Sequence, residues 1–245
     1  MDVAELSLFL LLALIAEILG TVGGFGSSLF FVPIAGFFFE FHVALAVTGL
    51  FHITSNLSKV VLFHRGISKR IVAYLGTASV LAVLVGAFLS TRVKAQNLEI
   101  FLGVFLIALS AVFLIRRHVV LNPNKSSLIW GGLSSGFAAG LLGTGGAIRG
   151  LALSSFALGK DAFVSTSALI DLGVDLSRTG VYFFEGYFKT VELSIILWLA
   201  LVSVIGSYIG KLILNKISED QFRKVVLWLI LFVGIATAFT GIFKY

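Results

Sequence analysis

The sequence predicts an all-α polytopic membrane protein made of two inverted repeats. Three observations lead there: composition, a run of long apolar segments, and an internal duplication. Of the 245 residues 58% are hydrophobic and only 12% are charged, against about 25% in an ordinary soluble domain, and mean hydropathy is +1.08. A soluble chain of this length needs a polar coat that these residues cannot supply. Disorder, a nucleic-acid-binding arm and a soluble core are thereby excluded, and a lipid bilayer is the natural solvent. The absence of cysteine excludes disulfides, thiol catalysis and cysteine metal sites. The acidic N-terminus, Met1 to Glu5, lacks the basic region of a signal peptide, so the first apolar stretch is expected to stay in the mature protein.

A bilayer crossing takes about 20 apolar residues. The first half offers a segment at 3–22, a shorter one at 27–39 that holds Pro33, and then 43–63, 71–91 and 98–115. A polar break from Arg116 to Lys125, with Pro123, divides the chain. The second half offers short segments at 127–142 and 147–159, then 163–184, 190–210 and 222–243. A shift of 120 residues lays the halves on each other: Gly20, Gly23 and Gly26 fall on Gly140, Gly143 and Gly146, Val61, Phe63 and Gly66 on Val181, Phe183 and Gly186, and Glu99 on Glu219. Spaced glycines at turn-like places are costly coincidences even in so apolar a chain. The expected organisation is a first repeat at 1–117, a cytoplasmic linker at 118–126 and a second repeat at 127–245, all in one membrane domain. Such repeats mark secondary transporters.

Positive residues gather on the cytoplasmic side of membrane proteins. With four spans per half, the loops divide the basic residues eight against seven, which is no bias. If each glycine region turns the chain back, giving five segments per half, one side collects eleven, among them Arg65, Lys69, Arg70, Lys125, Lys160, Lys211 and Lys216. The other side keeps Arg92, Lys94, Lys189 and Lys244. That clear bias favours inverted repeats with both termini extracytoplasmic in the cell (inner) membrane. Each repeat opens with a helical hairpin turned by glycines, either spanning or re-entrant.

The two turns, Gly20 to Ser28 and Gly140 to Arg149, carry the sharpest local signal. Glycine permits tight turning, and a helix starting after the turn presents free N–H groups and the positive end of its dipole to an anion. Gly23, Gly24, Gly26 and Ser27 in the first turn, and Gly143, Thr144, Gly145 and Gly146 in the second, are therefore candidate anion-binding residues. Arg149 adds a charge that hydrocarbon would not tolerate. No Gly-Lys-Ser/Thr follows, so this is no phosphate P-loop.

The first turn running into Ser28-Leu29-Phe30-Phe31-Val32-Pro33, its echo Ala139 to Gly146, and the stretches Ala46-Val47-Thr48 and Ser165-Thr166-Ser167-Ala168 resemble the TauE/SafE sulfite exporter family over essentially the whole chain. One departure is Phe25, where members often show an uninterrupted glycine run. The resemblance implies export of sulfite or organosulfonates, and no enzymatic activity.

Two long segments are unusually polar. His52, Asn56 and Lys59 share one face of the first at i, i+4 and i+7, and Asp171, Asp175 and Arg178 repeat the spacing in the second. Asn56, Lys59 and Arg178 are candidate anion partners, and Asp171, Asp175 and His52 are candidates for proton coupling. Asp175 and Arg178 are placed to pair, whereas neither Asp171 nor Glu17 has an evident mate. No metal or cofactor is called for, and the expected partners are a small anion and the lipid bilayer, not nucleic acid. The resulting expectation is a proton-coupled exporter working by alternating access. A passive anion channel of the same architecture is the alternative, and an intramembrane serine hydrolase using Ser27 or Ser28 with His52 or His64 is the outlying one.

Overall fold

The computed structural model describes residues 1–24, 26–64, 66–115, 122–214, 216 and 219–244; Phe25, Arg65, Arg116, Arg117 and the first part of the linker, 118–121, lie outside them. The described residues form helices and no strand. The first half holds α1 (Val3–Gly23), α2 (Ser28–Phe38), α3 (Phe41–Leu62), α4 (Lys69–Ser90, with one π-helical stretch at Val72–Gly76) and α5 (Ala95–Ile115). The second holds α6 (Lys125–Leu142), α7 (Gly146–Ser154), α8 (Lys160–Phe184), α9 (Leu193–Leu214) and α10 (Glu219–Phe243). These are the expected segments with shifted ends. The largest shift follows α7, which stops at Ser154 before Ala157 takes a positive φ of 48°.

Local sequence explains the boundaries. Asp2 accepts the amide of Glu5 at 2.7 Å while the Glu5 carboxylate accepts that of Asp2 at 3.0 Å, a reciprocal cap that starts α1. Asn124 caps α6 through the amide of Ser127 at 2.8 Å. Gly24 (φ 69°) and Gly143 (φ 78°) end α1 and α6 in the left-handed conformation that a side chain would strain.

Five helices (α1, α3, α4, α5 and α9) are long and apolar enough to cross a membrane. At 25 residues α8 is long enough too, and falls short through its charged residues. In contrast α2 and α7, at 11 and 9 residues, are about 16 and 13 Å long and shorter than a hydrocarbon core of about 30 Å.

The main helix pairings recur when the halves are exchanged: α1 packs on α9 as α6 packs on α4, α9 on α3 as α4 on α8, and α3·α8 and α5·α10 map onto themselves, whereas α2·α10 and α3·α5 have no counterpart of similar extent among the described residues. The left-handed Gly24 and Gly143 stand 119 positions apart, and so do His52 and Asp171, Asn56 and Asp175, and Lys59 and Arg178, while the left-handed Gly66 and Gly186 keep the spacing of 120. Asn56 of α3 donates to Asp175 of α8 at 2.7 Å, a contact between the halves.

Loop contacts define two ends of the bundle. At one, Lys211 donates to the carbonyl of Leu62 at 2.6 Å, Ser68 to the hydroxyl of Thr166 at 3.0 Å, and Lys160 to the carbonyl of Leu214 at 3.4 Å. At the other, Lys244 donates to the carbonyl of Gly36 at 2.6 Å, and His42 meets those of Ser90 and Val93 at 3.2 Å. Three of the loops that five segments per half assign to one side, those joining α3 to α4, α7 to α8 and α9 to α10, thus lie near one another.

Candidate functional site

Hydrocarbon surrounds the bundle, so each charge within it needs a partner. Six charged side chains from α1, α3, α7 and α8 meet inside the bundle, three basic and three acidic, and they form three pairs. The first is Glu17 with Lys59, whose Nζ lies 2.8 Å from Oε1. Glu17 is fully buried and also accepts hydrogen bonds from Ser27 (2.6 Å), Ser55 (2.7 Å), Ser207 (2.8 Å) and Thr21 (3.2 Å). Lys59 donates further to Ser55 at 2.9 Å. Its ammonium is therefore held inside the bundle and does not reach toward the headgroups. Helix α9 comes this close because Gly206 and Gly210 face Glu17 and Thr21, where a Cβ would lie 2.7 and 2.6 Å from their side chains.

The second pair is Asp175 with Arg178, one turn apart on α8. Arg178 gives Nε to Asp175 at 2.8 Å and its terminal nitrogens to Asp175 at 2.7 Å and to the carbonyls of Gly143 (2.9 Å) and Ala139 (3.3 Å). It thus closes the C-terminus of α6, where unpaired carbonyls and the helix dipole favour a cation. With Asn56 on the other oxygen of Asp175, the cluster holds α3, α6 and α8 together.

The third pair is Arg149 with Asp171. Arg149 lies in the first turn of α7, gives Nε to Ser167 at 2.9 Å and grips the Asp171 carboxylate with both terminal nitrogens. Asp171 thus has a mate that its own helix did not reveal. The glycine turns meet here: Thr144 donates to Ser28 at 3.0 Å, and a Cβ on Gly26 would sit 3.9 Å from an Arg149 nitrogen, Asp171 Oδ2 and the Ser28 hydroxyl alike.

A narrow, partly open cleft lies beside this pair. The first hairpin contributes Gly20, Thr21, Gly24 and Gly26, α3 contributes Asn56 and Lys59, and α8 contributes Val164, Ser167, Ala168 and Asp171. Its α8 wall belongs to the part of the helix nearest Lys160, so the cleft lies toward the basic end of the bundle. Gly24, Gly26, Asn56, Lys59 and Asp171 are brought together around it, with Arg149 directly behind Asp171. Gly23, Gly143, Thr144, Gly145 and Gly146 shape the turns without lining it. Ser27, His52, Asp175 and Arg178 lie outside its walls: Ser27 and His52 touch at 3.0 Å between Oγ and Nε2, and His52 Nδ1 is 3.9 Å from Asp175.

Sequence reasoning left Glu17 without a role, gave none to Ser55 at the edge of the polar face or to Ser167 in its family-like stretch, and did not single out Ser207. The signal was available as charge balance, because a deep Glu17 needs a cation and Lys59 is the sole basic residue within a first-half segment.

No curated protein and no solved structure matches the chain. The profile of the sulfite exporter TauE/SafE family matches residues 9–237, nearly the whole sequence, and the protein belongs to that family of membrane transporters.

Proposed function

We propose that the protein is a secondary transporter that exports sulfite or a small organosulfonate across the cell (inner) membrane by alternating access, coupled to proton movement. Family membership supports export of a sulfur-containing anion. The observation that carries the site is Arg149, a guanidinium 2% exposed, fixed where the two glycine turns meet and separated from the cleft only by Asp171. A planar fork of donors matches two oxygens of a sulfonate or sulfite as it does those of a carboxylate.

The halves act, on this reading, as inverted repeats of about five helices each, with α2 and α7 re-entrant, the linker cytoplasmic and both termini extracytoplasmic. The exchange of packing partners, the shortness of α2 and α7 and the clustering of basic loops support it. The cleft, lying toward the basic end, then faces the cytoplasm, where an exporter loads. The chain is a transporter and not an enzyme, and Ser27 makes no nucleophile. Its hydroxyl proton goes to Glu17, it is fully buried, and the 3.9 Å between His52 and Asp175 is too long to orient a catalytic base.

In proteoliposomes, sulfite or sulfonate flux is expected to need Arg149 and to fall at least about 100-fold in Arg149→Ala, as when a buried charge contact worth about 3 kcal/mol is lost. Flux that persists in this variant would remove Arg149 from the mechanism. Acceleration of efflux by the same anion on the opposite side separates a carrier from a passive channel.

A further inference from the structure

Resting on the transport reading above, we propose that Asp171 is a tethered stand-in for the transported anion: substrate and the Asp171 carboxylate take turns on Arg149, and the displaced carboxylate takes up a proton. The three interior carboxylates differ in how they are held. Glu17 accepts from a lysine and four hydroxyls, and Asp175 from Arg178 and Asn56. Among the described residues, the hydrogen bonds given to Asp171 all come from Arg149. Asp171 is also the member of its pair that faces the cleft, with 17% of its side chain exposed against 2% for Arg149. It can therefore leave Arg149 without uncovering a second buried charge.

The geometry of the pair is that of the expected cargo. A carboxylate that fills both terminal nitrogens of a guanidinium occupies the positions that two sulfonate oxygens would take. The Cβ position left vacant at Gly26 touches guanidinium, carboxylate and Ser28 hydroxyl alike at 3.9 Å, so the first glycine turn borders both members of the pair.

Charge then sets the coupling. The central cluster is balanced at three cations and three carboxylates, so an added anion there leaves one negative charge in excess. The groups around Asp171 decide where that charge is relieved. Arg149 faces it from α7, Lys59 and beyond it His52 from α3, and Asp175 and Arg178 from α8 itself, while Glu17 of α1 reaches it only through Lys59. Helix α4 turns glycine and valine toward α8 at this level, Gly76 against Ile170 and Val80 against Gly173. Each cation except Arg149 already holds a carboxylate. The displaced Asp171 thus forms an O–H bond with the proton of a hydronium ion or buffer acid reaching the cleft, the donor's bond to that proton breaks to leave water or the buffer base, and the added anion and added proton together leave the charge of the cluster unchanged. Anion and proton load together, and the empty carrier is neutral and shut by its own side chain.

The test uses methanesulfonate, which does not titrate near neutrality, on the purified protein in weak buffer. Wild type should take up one proton per anion bound, and its apparent affinity should fall by up to about tenfold per pH unit above the range in which free Asp171 ionises. Asp171→Asn should bind at least as tightly, with no proton uptake and no pH slope. Binding to wild type without proton uptake overturns the proposal and leaves the transport reading standing. So does an Asp171→Asn variant that keeps the wild-type slope, or one that loses binding as Arg149→Ala does, since Asp171 would then only position the arginine. Should Asp171→Asn not fold, the proton count on wild type decides alone. If wild type binds neither methanesulfonate nor sulfite, the transport reading falls and this one with it.

Discussion

Removing one partner of a buried ion pair costs about 3–5 kcal/mol, because the other charge stays behind in a medium that cannot solvate it. Glu17→Gln should lower the melting temperature in detergent sharply by stranding Lys59, and Glu17→Gln/Lys59→Met should recover much of the loss; a double variant no better than the single one would contradict the pairing. The turn glycines grade similarly. An Ala at 143 meets a strained φ of 78° and places its Cβ 2.7 Å from Leu45 and 2.9 Å from Val32, whereas at 24 it meets the movable ring of Phe163 at 3.0 Å. Gly143→Ala should therefore cost about 1–3 kcal/mol more than Gly24→Ala, measured by thermal unfolding. At this scale the sequence was half legible. The Asp175–Arg178 pair follows from spacing on one helix, but Arg149–Asp171 and Glu17–Lys59 join different helices, and helical periodicity carries no information on which faces meet.

Elements were the most legible, because apolar length, caps and left-handed glycines act locally. Packing between them was less so. Helix α6 lies against α4 through Gly132, Gly136 and Gly140, where a Cβ would run into the backbone carbonyls of Leu75, Ser79 and Val83. The glycines were visible, but the helix they face was not. Gly136→Ala should separate the two helices and cost about 1–3 kcal/mol; wild-type melting would argue against so close a contact. At the opposite end His42 holds α3 to α4. Its Nδ1 is 3.0 Å from Glu40 and its Nε2 faces the carbonyls of Ser90 and Val93, so both ring nitrogens face acceptors and the arrangement calls for the doubly protonated ring. Partial burial alone would raise the Glu40 carboxyl, but the hydrogen bond and charge of His42 and the amides of Val43 and His42 outweigh it and hold Glu40 below its ordinary 4.5. A carboxylate whose folded value is depressed adds stability that is complete above the unfolded value and is lost as pH falls through the folded one. Glu40→Gln should therefore flatten the acid limb of the stability profile and change little at neutral pH. An unchanged acid limb would mean that the contact is idle.

For the whole molecule, the proposed sidedness rests on arithmetic on basic residues, with Lys160 and Lys211 of the richer side held at the same end of the bundle. The lack of native cysteine makes this easy to test. Single cysteines at Lys189 or Lys244 should be labelled by an impermeant thiol reagent added outside the cell, and those at Lys125 or Lys216 only after permeabilisation. The reverse pattern would invert the topology. Composition and apolar length thus carried the all-helical membrane architecture, whereas the cleft depends on which helices meet inside the bundle, a property of the assembled molecule.

Each of the three ion pairs of the central cluster closes within its own half: Glu17 with Lys59 in the first, Arg149 with Asp171 and Asp175 with Arg178 in the second. Hydrogen bonds from neutral donors cross between the halves at this cluster, such as Asn56 to Asp175, Thr144 to Ser28 and Ser207 to Glu17. A ribosome delivers the first five helices to the membrane before the last five exist, and the Glu17–Lys59 pair can enter lipid already neutral, without waiting for a counter-ion still to be synthesised. The chain should then tolerate being made in two pieces. Residues 1–122 and 123–245 co-expressed as separate polypeptides should assemble and restore transport, and failure of two stable pieces to do so would show that ion pairing within each half is not what lets it mature.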